Sequence, residues 1–87
     1  MVEKVVLVTG DQQPWPLVGD RIEILASPKP GFYGLCRSVR GDADIAHPVA
    51  SPDQKSAEIG DTGTVKSRST QPTMRGAATC RVVIDTP

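Results

Sequence analysis

From Ala78 to Ile84 every second residue is apolar (Ala78, Cys80, Val82 and Ile84), and a period of two puts one apolar row on a single face of a β-strand rather than on a helix. A strand needs a partner. The run Ile59-Gly60-Asp61-Thr62-Gly63-Thr64-Val65-Lys66-Ser67-Arg68 offers one: Gly60 and Gly63 can take positive φ at a sharp corner, Asp61 can accept hydrogen bonds from amides in the turn, and Thr64, Val65 and Lys66 continue as strand. The same hydrophobe-Gly-Asp corner opens Val18-Gly19-Asp20-Arg21-Ile22-Glu23-Ile24-Leu25, and beyond these two corners no internal repeat is visible. Paired corners that launch alternating ribbons predict an all-β domain.

Size and punctuation fit that reading. The 87 residues suit a single domain with one modest core. Eight Gly and eight Pro divide the chain into brief segments, and with only Trp15, Phe32 and Tyr33 as aromatics the core must be mainly Val, Ile, Leu and Ala. Ten basic and ten acidic side chains cancel, so no net field draws the chain to nucleic acid or an anionic membrane. The distribution is uneven, because Lys66, Arg68, Arg75 and Arg81 occupy 62–84 without a carboxylate among them. That basic hairpin could face an acidic partner or a phosphate, or could be a solvated face whose cations discourage edge-to-edge pairing.

In chain order, Val2–Thr9 is a β-branched run with consecutive apolar residues, as for a strand covered on both faces. It is placed to complete the sheet beside the last strand or to join a second subunit. Its Val-Thr-Gly ending echoes a nucleotide-binding βαβ unit, but no further glycines or helix follow. Residues 12–17 form a loop in which Pro14 and Pro16 hold Trp15 on a stiff support, either as a lid on the core or as a recognition surface. A second strand over 20–25 ends in Ser27-Pro28-Lys29-Pro30-Gly31. Residues 32–39 read as a third strand with Gly34 at a bulge or close approach. Residues 40–55 read as one long loop, with Ser51-Pro52-Asp53-Gln54 in the form of a short helical start. Residues 69–76 read as a polar, flexible tip, and Ala78–Asp85 as the closing strand.

The two Gly-Asp strands followed by Cys80-Arg81-Val82-Val83-Ile84-Asp85 resemble SH3-like small barrels, such as KOW-type modules and accessory subunits of larger assemblies. The resemblance covers Val18 to Asp85. It implies an all-β, SH3-like small barrel of five to six short antiparallel strands with long loops, over a single domain 1–87 in which 1–17 supplies the amino-terminal strand and Pro-Trp-Pro loop and 18–87 the barrel core. The chain departs from the family where function is read: three scattered aromatics barely furnish a groove for proline-rich peptides, and the basic balance of a nucleic-acid module is missing.

No residues stand out as catalytic. Asp42, Asp44 and His47 lie in one predicted loop, but their spacing matches no closed metal site and a fourth ligand is not evident. Cys36 and Cys80 lie in strands, where a thiol acts as a small hydrophobe, and a nucleophilic Cys36 with His47 as base would need an orienting group that the sequence does not show. Neither a metal nor a cofactor is therefore expected. Without a basic-then-apolar leader or an apolar run of about 20 residues, the expectation is a cytoplasmic protein with free thiols and no membrane partner. The preferred function is a non-catalytic protein-interaction or accessory module that uses Trp15, Tyr33, Lys66, Arg68 and Arg75. The alternatives are a nucleic-acid-binding module on the basic hairpin and a small-molecule-binding oligomer, with the amino-terminal strand as a possible homo-oligomer contact.

Overall fold

The structure, a computed structural model of the chain, describes residues 1–10, 13–46, 53–72 and 78–87, with the backbone alone for Gln71 and Pro72. Seven strands follow in order: β1 (Val2–Thr9), β2 (Arg21–Ala26), β3 (Gly34–Ser38), β4 (Gly41–Ile45), β5 (Lys55–Ser56), β6 (Thr62–Pro72) and β7 (Ala78–Thr86). They hydrogen-bond in the order β4-β3-β2-β6-β7-β1-β5, and β4 also reaches β1 through Val8 opposite Ile45. Six antiparallel strands thus close into a small barrel, and β5 adds a short parallel pairing beside Lys4 and Val5. The all-β barrel read from the sequence is what the chain forms.

The two Gly-Asp corners are one turn used twice. In 17–20 and again in 58–61 the third residue is a glycine at positive φ (Gly19 94°, Gly60 99°), and the fourth returns its N–H to the carbonyl of the first at 3.0 Å. Only glycine meets that φ without strain, so both are turns of type II character. In each, the aspartate carboxylate accepts the N–H of the first residue at 2.9 Å, Leu17 to Asp20 and Glu58 to Asp61. Both carboxyls are held below the ordinary aspartate value, first by that backbone donor and then, against an opposing effect of burial at each, by a cation: Arg40 beside Asp20 and Lys4 beside Asp61. Gly63 was expected to share the positive φ and does not. Its role is close approach, because a Cβ there would lie 2.6 Å from the Asp85 carbonyl oxygen.

Each corner then docks on the strand that follows the other. Gly19 N–H donates to Val65 O and Val65 N–H to Asp20 O, while Gly60 N–H donates to Ile24 O and Ile24 N–H to Asp61 O. Ile22 opposite Gly63 is the centre of this reciprocal pair. The symmetry extends through the barrel: exchanging β1 with β4, β2 with β6 and β3 with β7 leaves the set of antiparallel pairings unchanged. Outside the corners it leaves no mark that the sequence makes visible.

The core is aliphatic. Val8, Ile24, Cys80, Val82 and Ile84 are fully buried, with Val65, Ile22, Cys36, Ala43 and Ile45 around them. Inward-facing β-branched residues on every long strand explain why so few aromatics suffice; Trp15 and Tyr33 pack against the cluster from its margin.

Four expectations change. The 40–55 segment is not one loop, since β4 runs through it and β5 closes it. β4 escapes the alternation test because its sequence is Gly-Asp-Ala-Asp-Ile, and Asp44, though polar, is buried: it accepts from Gln13 Nε2 at 2.8 Å and faces Lys29 Nζ at 3.5 Å. β6 runs to Pro72 where a polar tip was read, because its residues find backbone partners on β7 without needing apolar side chains of their own. β3 starts at Gly34, whose Cβ would meet Leu25 O at 2.5 Å, so the close-approach reading applies there. The helical start at Ser51-Pro52 lies outside the described residues, and Asp53–Glu58 contains β5 rather than helix.

Candidate functional site

The two symmetry-related halves differ in length. β1, β6 and β7 have 8, 11 and 9 residues, against 5, 6 and 5 in β4, β2 and β3. The longer half closes the barrel with its first part and extends beyond it with the rest. β2 pairs with β6 only from Thr62 to Thr64, and Gly19 and Asp20 extend that contact to Val65. From Lys66 to Pro72, no described strand lies on the side of β6 away from β7. Among the described residues this edge of β6 is unpaired, over about 20 Å at the usual rise per residue.

The direction of its backbone follows from the pairing. Val65 turns both its N–H and its C=O away from β7, to Asp20 and Gly19. Opposite Val65 stands Ile84; an extra residue, Lys66, bulges before Ser67 meets Val83; Arg68 then faces Val82 and Thr70 faces Cys80. In an antiparallel ladder alternate pairs turn their polar groups outward. Arg68 and Thr70 share the phase of Val65 along β7, so their N–H and C=O groups point to the open side. Pro72 follows in the same phase with a carbonyl and no N–H, as proline in sheets is confined to edges.

The side chains on this edge are all polar and exposed from Lys66 to Thr70. Arg68 lies on the inner face, opposite the fully buried Val82, and its Nη1 donates to Pro16 O at 2.9 Å. The guanidinium therefore bridges the gap that opens where β6 leaves β2, and ties β6 to the Pro-Trp-Pro segment. No described carboxylate is within ion-pair distance of it. Lys66 reaches Glu3 at 3.3 Å with both side chains more than half exposed, a pair worth under about 1 kcal/mol. Ser67 and Ser69 lie on the outer face, opposite Val83 and Arg81; Arg81 is engaged with Gln54.

The sequence-derived partner residues are only partly brought together. Arg68 and Lys66 share the edge, and Trp15 stands next to the Pro16 carbonyl that Arg68 holds. Trp15 packs as a lid, half-buried against the core with its indole N–H enclosed and without a partner among the described residues. Tyr33 belongs elsewhere: with Val2, Lys4, Lys55, Ser56 and Thr86 it lines a pocket of about 540 Å³ where β1 begins, whereas the Trp15 segment leaves from the point where β1 stops. Arg75 lies outside the described residues. What residue types alone could not supply is the outward backbone of Arg68 and Thr70, which follows from register; the weak signal for it is a polar run without alternation placed opposite a strongly alternating strand.

The other candidate chemistries are dispersed. Asp42 is held by Arg37 at 2.9 Å, Asp44 faces Gln13 and Lys29, and His47 lies outside the described residues. No group of metal-ligating side chains occurs among the described residues. The Cys36 thiol is buried and pushed up to about 12 by desolvation, with Asp42 and Cys80 adding to it, so it stays protonated. Among the described residues, no helix is long and apolar enough to cross a membrane. Compared with protein-family models, with curated proteins and with solved structures, the chain matches none.

Proposed function

We propose that this chain is a non-catalytic interaction module, an accessory barrel of the SH3-like kind, that docks on a protein partner by adding a strand to β6. The observation that carries this reading is the unpaired stretch 66–72, where the backbone of Arg68 and Thr70 turns outward on a strand longer than closure of the barrel requires. Solitary barrels usually cover, shorten or bulge such edges; here one bulge at Lys66 is followed by a ledge that no described strand covers. A cytoplasmic setting suits the two free thiols.

Binding of nucleic acid by the same hairpin has less support, since ten basic and ten acidic side chains cancel over the chain and a phosphate backbone offers no alternating N–H and C=O groups to match those of Arg68 and Thr70. The test is a photo-crosslinking residue introduced at Ser69 and, in a second protein, at the exposed Glu23 of β2, a strand paired on both sides, each exposed to lysate of the native host. Protein adducts concentrated at Ser69 and lost on Thr70→Pro support the reading. Equal labelling at both positions, or adducts that vanish on nuclease treatment, refute it.

A further inference from the structure

The occupant of the β6 edge can be specified further, on the footing that the edge docks a protein at all. From the free backbone beside two cations, we infer that it binds an extended, acidic segment of another protein as an additional strand.

Three observations lead there. The first is geometric: the outward N–H and C=O groups of Arg68 and Thr70 are matched only by another extended backbone, which in strand addition supplies the affinity while alternate side chains supply the selectivity. The second is charge. Lys66 and Arg68 lie on the ledge, with no carboxylate between Thr62 and Ile84. The neighbouring Asp20 is held first by Leu17 N–H and by Arg40 at 2.9 Å, with the charge of Arg68 a smaller contribution, so Asp20 answers mainly to Arg40 and not to the ledge. Arg68 gives one Nη1 donor to a neutral carbonyl and makes no ion pair with a described carboxylate, and its remaining donors can receive a carboxylate. The exposed Lys66–Glu3 pair is weak enough for an incoming carboxylate to share the lysine.

The third observation bears on a second copy of the same chain. In the phase set by the outward groups, two β6 edges meet antiparallel around Ser69 with Arg68 of each opposite Thr70 of the other, which leaves the two Arg68 guanidinium groups as diagonal neighbours on one face with no carboxylate between them. An acidic strand in the same place answers that charge instead of doubling it.

The experiment uses the full chain and two short fluorescent peptides, one alternating glutamate with threonine and the other lysine with threonine, followed by fluorescence anisotropy. Thr70→Pro removes an outward N–H that makes no bond to β7, so the β6–β7 ladder and the fold should survive; circular dichroism checks this. Lys66→Glu reverses one ledge charge without altering the backbone. The expected result is binding of the glutamate peptide at least about tenfold tighter than the lysine peptide, weakened about tenfold by Thr70→Pro, weakened also by Lys66→Glu, and reduced by added salt.

Equal binding of both peptides, lost together in Thr70→Pro, would overturn the acidic preference while leaving the edge as the docking site. Binding of the glutamate peptide that ignores Thr70→Pro would remove the edge itself, and the functional reading with it. If neither peptide binds, the acidic segment is not the occupant, and crosslinking at Ser69 still judges the edge independently. Concentration-dependent dimerisation abolished by Thr70→Pro would assign the ledge to a second copy and overturn the inference.

Discussion

Gly63→Ala tests the closest backbone contact in the barrel. The new Cβ would sit 2.6 Å from the Asp85 carbonyl oxygen and 3.2 Å from its carbon, both backbone atoms with no side-chain rotation to relieve them. To restore even a 3.0 Å separation, β6 and β7 must part by several tenths of an ångström at the level of Val65 and Ile84, both almost fully buried. Overpacking of this kind costs about 1–3 kcal/mol, and the lower entropy of the unfolded alanine chain returns about 0.4–1 kcal/mol, leaving a net loss of about 1.3 kcal/mol at the middle of these ranges. For a domain of this size that corresponds to a fall in Tm of roughly 5–10 °C. Gly60→Ala provides the contrast. Nothing lies within 4 Å of its Cβ position, so only the φ of 99° is penalised, at about 1 kcal/mol net or roughly 4–8 °C. Thermal unfolding followed by far-ultraviolet circular dichroism, with urea titrations to check that m is unchanged, measures both. A Gly63→Ala protein melting within about 2 °C of the parent would show that β6 and β7 do not approach as described.

Other predictions concern core, charge and thiols. Ile84→Ala empties a fully buried position on the central β7 and should cost about 2–5 kcal/mol in urea unfolding, whereas Val39→Ala, at 85% exposure, should stay within about 0.5 kcal/mol. The Asp61 carboxyl is depressed by the Glu58 N–H and then by Lys4, so its stabilisation is complete above the ordinary aspartate pKa and is lost as pH falls through the lower folded value. Asp61→Asn should accordingly flatten the acid limb of a stability–pH profile, and an unchanged limb would exclude the corner as its source. Cys36, buried and pushed up to about 12, and Cys80, also raised by burial, should be inert to a thiol reagent in the folded protein and react together in urea. Rapid labelling of either one without denaturant contradicts the packing.

Several parts of the architecture could be read directly from the amino-acid order. Val2–Thr9 and Ala78–Asp85 were legible because they are apolar and β-branched over their whole length, and the Gly-Asp corners because a glycine followed by an aspartate three residues on from the turn's start has few conformations open to it. β4 was hidden, since Asp44 breaks the apolar alternation and becomes buried only once Gln13 folds over it from a distant loop. The upper half of β6 was hidden for the opposite reason: it contributes nothing to the core, and its only claim to strand structure is the backbone that β7 offers.

Local order along the chain therefore determined the turns, the alternating strands and the all-β class, because these depend on φ preferences and on the period of apolar residues over a few neighbours. Tertiary structure alone decided the two-fold arrangement of strands, the separation of Trp15 from Tyr33 and the edge at 66–72 that no described strand pairs. Which backbone groups remain unpaired depends on where strands far apart in sequence meet and stop, and residue order does not encode that register locally.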